Sequence, residues 1–167
     1  ILLSAWASIK THMTFSQYSE VPASTGLSGA EAAARLLSNA GIRDVKIEET
    51  DGFLSDHYDP LAKTLRLSPK VYEGRSLSAI GVACHEAGHA LQHAAAYFPM
   101  HIRSAIVPVY GVSTWLSYIV IAAGFFMSAP KLILAGAILF SAAVLFTLVT
   151  LPVEWDASAR AKRLMVS

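Results

Sequence analysis

The sequence predicts a mainly α-helical membrane protein: a helix bearing paired histidines, a small β-sheet beside it, and a transmembrane helical hairpin. Three observations carry this. The run Ser78–His93 is built on small apolar residues and carries histidines at 85, 89 and 93. Val45–Glu49 and Thr64–Leu67 alternate polar with apolar residues and read as strands. Ser104–Pro130 and Leu132–Val153 hold no charged residue, and only Lys131 separates them. Each exceeds the ~20 residues that cross a ~30 Å hydrocarbon core.

Composition agrees. Of 167 residues, 54% are hydrophobic, too many for an ordinary soluble domain. The mean hydropathy is +0.47. A net charge of +1 gives no case for nucleic-acid binding. Cys84 is the single cysteine, so no internal disulfide forms. On a helix its side chain points about 100° away from that of His85, which suits a small buried filler. The competing reading of the hairpin, as the core of a soluble fold, sits poorly with apolar runs of this length.

The elements follow in order. Ile1–Ile9 is apolar, ends at Lys10 and is too short to span a bilayer alone. Residues 1–19 therefore read as an N-terminal helix, the end of a truncated membrane helix or an amphipathic lead-in. Val21–Gly29 is a loop. Ser28 and Glu31 form a capping box that opens a short helix, with Ala33, Leu36 and Leu37 facing inward and Gly41 as its stop. Asp51-Gly52 is a turn, Asp56–Pro60 leads into a second, and Ser68-Pro69 closes the last strand. Pro99 is expected to end the histidine helix, which completes a domain over 20–103. The hairpin, 104–151, turns at Ser128-Ala129-Pro130-Lys131. Residues 152–167 form a terminal helix, basic at its end. Lys10, Arg103, Arg160, Lys162 and Arg163 flank the polar domain, against Lys131 alone at the turn. The positive-inside bias places that domain in the cytoplasm of a multi-pass membrane protein.

The histidine run contains His85-Glu86-Ala87-Gly88-His89, an H-E-x-x-H motif. Residues four apart share a helix face, so both imidazoles can reach one zinc ion at about 2.0–2.1 Å. Glu86 is rotated about 100° from His85, beside the ion, where a general base belongs. Two surface histidines on an ordinary helix would not need such small, apolar flanks.

A catalytic zinc takes a third protein ligand. His93 continues the spacing but lies about 12 Å along the axis from His85, too far on a straight helix. Glu154 is the better candidate. A carboxylate just past a membrane span is costly unless solvated or paired, and the hairpin returns it to the level of the histidine helix. Asp156 lies about 200° further round, so both cannot face one ion. Asp156 and His93 are then candidates for orienting a ligand from behind. His57 or Tyr58 could donate to an oxyanion. The alternative for Asp56–Pro60 is a turn whose side chains cap local backbone, and it is the preferred one.

The blocks "SDHYDPLAKTLRLSP", "GVACHEAGHALQHA" and "LVTLPVEWDAS" together resemble the YugP-like membrane zinc metallopeptidases. The resemblance runs from "TGLSGAEAAARLL" to "VEWDASARA" and implies a further C-terminal portion. It is similar in plan to HtpX-type and CAAX-prenyl membrane proteases, a gluzincin-like arrangement in which a Glu ligand follows after membrane helices in an E-F-x-A-D-like segment. Glu154-Trp155 matches the start of that segment. Ser158 stands where those relatives carry Asp, and Asp156 is the candidate replacement. The resemblance implies Zn²⁺ on His85, His89 and Glu154, with Glu86 as catalytic base. It also implies a polypeptide substrate, expected to be a membrane or membrane-proximal protein. The alternative is a catalytically silent zinc-stabilised membrane scaffold. A metal transporter using His85, His89 and His93 is disfavoured, because both spans lack charged residues and histidine.

Overall fold

The computed structural model describes residues 2–52 and 55–166. Contacts divide the chain into two units, residues 1–94 with 157–167, and residues 95–156.

The first unit opens with α1 (Leu2–Ser19), none of whose residues is buried. Lys10 lies over the Trp6 ring at 5.3 Å. Helix α2 (Gly29–Asn39) starts as the sequence predicts. Ser28 Oγ accepts from Glu31 N at 3.2 Å, and Glu31 Oε2 accepts from Ser28 N at 2.7 Å. It ends as predicted too: Gly41 takes φ +75°, and Ile42 N donates back to the Leu37 carbonyl at 2.9 Å. Ala33, Leu36 and Leu37 form its buried face. Gly29 is required at the head of this helix, because a Cβ there would overlap the Val71 carbonyl oxygen.

Strands β1 (Lys46–Glu49), β2 (His57–Asp59) and β3 (Thr64–Leu67) make a sheet of order β1-β3-β2. β1 runs parallel to β3, and β2 antiparallel. The expected turn at Asp56–Pro60 is therefore in part a strand. Pairing of Tyr58 with Leu65 across the ladder holds it extended, and the turn falls one step later. There Asp59 Oδ1 accepts from Leu61 N and Ala62 N, and Pro60 follows, as at the head of a type I turn. Leu65 and Leu67 are fully buried beneath.

Arg66 Nη1 donates to Asp59 Oδ2 at 2.8 Å. The guanidinium, with the turn amides, holds the Asp59 carboxyl below its ordinary value of 3.8. A depressed carboxyl stabilises the fold above its unfolded-state pKa and loses that contribution as pH falls through the folded value. Asp59→Asn is expected to flatten the fall of the thermal midpoint below about pH 4. Circular dichroism melts across that range check it, and an unchanged slope would remove Asp59 from the acid response.

After β3 come the short α3 (Pro69–Tyr72) and the long α4 (Leu77–Ala94). Ser76 Oγ accepts from Ala79 N at the start of α4. The helix ends at Ala94, before the expected stop at Pro99, and Ala96 takes φ +48°. Pro99 instead lies in the first turn of the next helix, where its missing N–H has no intrahelical role.

The second unit contains α5 (Phe98–Phe126) and most of α6 (Pro130–Val166). Both are long and apolar enough to cross a membrane. Ser128, at φ +50°, and Ala129 make the turn between them, with Ala129 N donating to the Gly124 carbonyl. Gly124 and Gly136 let the two backbones approach. A Cβ at Gly124 would meet Ile133 N at 2.8 Å, and one at Gly136 would meet Ile121 N at 3.0 Å. Tyr110 stacks on Phe146 with centroids 4.3 Å apart. The outer faces carry Val112, Trp115, Phe125, Leu134 and Ile138, all exposed. Helix α6 is unbroken through Pro152, so the predicted span and the predicted terminal helix are one element.

Candidate metal centre

Helix α4 positions the motif because most of its buried residues are small. Ala79, Ala83, Ala87 and Ala90 are buried, which lets neighbouring backbones lie close. Gly88 is one point of such close approach. A Cβ there would overlap the Ala157 carbonyl oxygen, so only glycine admits the Ala157 backbone. The contact aligns the last part of α6 beside the motif. Ala157 and Ala161, four apart on α6, are both buried.

His85 and His89 then share a face. Their ring centroids are 5.0 Å apart and the planes lie nearly perpendicular. His89 is buried and His85 half-buried. His85 Nδ1 meets Ser158 Oγ at 3.0 Å. His89 Nδ1 meets Gln92 Oε1 at 3.0 Å. Glu86 is half-buried on the adjacent face. Cys84 is buried, and burial pushes its thiol up to about 11, so it is the inert filler expected.

Glu154 lies four residues before Ser158 on unbroken α6, one turn up on the same face. One ligand atom each from His85, His89 and Glu154 all lie within 4.8 Å of one another. Two nitrogens and a carboxylate oxygen are the donor set of a catalytic zinc. Glu154 Oε1 is also 3.6 Å from Arg103 Nη2.

The remaining candidates have other partners. His57 Nδ1 turns to the Ser55 carbonyl at 2.7 Å, and Asp56 accepts from Ser68 N and Oγ. The His57 bond is local, whereas Asp56 reaches twelve residues along the chain to the end of β3. Tyr58 Oη and His93 Nδ1 share a hydrogen bond of 2.8 Å, tying β2 to the end of α4. Burial, then the charges of Asp44 and Asp59, push the Tyr58 phenol up to about 12, so it stays protonated at neutral pH. Tyr58 and His93 line a pocket of about 330 Å³ with Asp44, Lys63 and Ala90. Asp156 is half-buried on α6, about 200° round from Glu154.

Gln92 escaped the sequence reading, Arg103 entered it only as a flanking cation, and Ser158 only as the residue standing where similar proteases carry Asp. Gln92 stands three residues after His89 and Ser158 four after Glu154, spacings that place each on a ligand's own helix face. Arg103 carried no such signal.

Residues 1–167 match the family described as "Putative neutral zinc metallopeptidase". The chain belongs to this zinc metallopeptidase family. It is 48% identical over 165 residues to the "Putative membrane protease YugP" of Bacillus subtilis (strain 168), covering 99% of this chain and 73% of that protein. No solved structure matches. Zinc is thus the cofactor of the family, and a polypeptide its class of substrate. The name of the relative and the two apolar helices associate the chain with a membrane.

Proposed function

We propose that this protein is a multi-pass membrane zinc metalloendopeptidase of gluzincin-like plan, cleaving membrane or membrane-proximal proteins. The observation that carries the reading is the approach of His85, His89 and Glu154 ligand atoms to within 4.8 Å, with Glu86 next to His85 in the chain. Its parts are the N-terminal helix 1–19, the protease domain 20–103, the hairpin 104–151 and the segment 152–167 with the third ligand.

Zinc, when bound, supplies a Lewis acid that brings water's pKa to ~7 and polarises a carbonyl. His85, His89 and Glu154 would hold it. Glu86 takes a proton from the attacking water and returns it to the leaving amine. Arg103, beside Glu154, balances the carboxylate's charge.

The membrane reading rests on two helices whose most apolar windows are only 6% buried within the protein. Core helices of a soluble fold would be mostly covered. The distribution of Lys10, Arg103, Arg160, Lys162 and Arg163 against Lys131 orients the zinc domain to the cytoplasm.

The test is zinc content and proteolysis by the detergent-solubilised protein. Wild type is expected to carry zinc and cleave a membrane-protein substrate. His89→Ala should lose both. Stoichiometric zinc without cleavage of any membrane substrate would favour the silent scaffold instead.

A further inference from the structure

We propose that Gln92 and Ser158 are positioning residues that fix the two imidazoles, each engaging Nδ1 so that Nε2 faces the metal. The inference rests on the zinc reading of His85 and His89, and adds what sets the orientation of those rings.

Gln92 is the clearer case. It is fully buried, one of the largest side chains so enclosed. A buried amide is costly unless it is hydrogen-bonded, whereas Leu has nearly its volume and no such cost. Gln92 Oε1 can only accept, so at 3.0 Å the His89 Nδ1 must carry the hydrogen. That leaves the His89 Nε2 lone pair as the donor. The opposite tautomer would place N–H at Nε2 and could not bind a cation through that atom.

Ser158 does the same for His85 from another element, at 3.0 Å from Nδ1. Its hydroxyl accepts the Nδ1 hydrogen when the ring ligates through Nε2. The two devices differ in what they depend on. Gln92 lies on the helix of the ring it orients, three residues on. Ser158 reaches His85 only while Ala157 lies against Gly88. One imidazole is therefore set by α4 alone, and the other by docking of α6. Neither residue is a ligand, so neither needs to touch the substrate.

Zinc affinity, measured on the full-length detergent-solubilised chain by competition with a chromophoric chelator, tests this. The visible spectrum of the Co²⁺-loaded protein is a second readout. Gln92→Leu and Ser158→Ala are each expected to weaken zinc binding about 10–100-fold and to alter the Co²⁺ bands. Gln92→Glu, which keeps an acceptor at the same reach, and Ser158→Thr, which keeps the hydroxyl, should show parental or tighter binding. The proposal is overturned if Gln92→Leu and Ser158→Ala bind zinc as the parent does. It is equally overturned if the acceptor-retaining variants lose as much affinity as the others while the metal-free proteins melt alike, since bulk rather than hydrogen bonding would then matter. A parent that binds no zinc would sink the zinc reading itself, and this inference with it.

Discussion

Glu86→Gln is expected to keep zinc and lose peptide hydrolysis, with turnover falling by about 10²–10⁴-fold. The substitution keeps the length and shape of the side chain but removes its capacity to take a proton. Because Glu86 lies outside the group formed by His85, His89 and Glu154, metal content should not change. A retained fold and retained zinc separate this variant from His89→Ala, which is expected to lose the ion. Single-turnover cleavage of a membrane substrate, beside metal analysis of the same sample, checks it. Hydrolysis at the parental rate would remove Glu86 from the mechanism.

The parts of this molecule that were legible in its sequence are those fixed by local chemistry. Ser28, Glu31 and Gly41 bound α2 because capping box and left-handed stop are encoded within a few residues. The pairing of His85 with His89 is likewise a matter of helical repeat. Strand β2 was hidden because the three residues His57–Asp59 are too few for their alternation to signal a strand; it is extended because β3 lies beside it. Pro99 misled for a related reason. Proline suits a helix start as well as a helix stop, and here it opens α5. Glu154 needed long-range knowledge, since the whole of the apolar hairpin lies between it and His89 in the chain. What chemistry could say was that an acid so near a span must have a partner. Asp156 drew attention by charge, yet the residue touching His85 is uncharged Ser158. A hydroxyl gives no warning in composition, because serine is common on every helix face.

Gly88 tests how closely the motif depends on the helix laid against it. In a helix interior Gly→Ala ordinarily gains up to about 1 kcal/mol. Gly81, on the same helix, has nothing within 4 Å of an added Cβ, so Gly81→Ala is expected to raise the thermal midpoint slightly. At Gly88 the same methyl would overlap the Ala157 oxygen and lie 3.0 Å from its carbonyl carbon and 3.2 Å from its Cα. These are backbone atoms and cannot rotate away, so the helices must part. Such overpacking costs typically about 1–3 kcal/mol, which outweighs the propensity gain and reverses the sign. A separation of even half an ångström, less than the clash demands, stretches the 3.0 Å contact of His85 with Ser158 to the edge of hydrogen bonding. Gly88→Ala should therefore lower both the melting temperature and zinc affinity, while Gly81→Ala lowers neither. The pair isolates packing from helix propensity, since both changes are chemically the same and lie two turns apart on one helix. If the two variants melted and bound zinc alike, close backbone approach at the motif would not be what assembles the site.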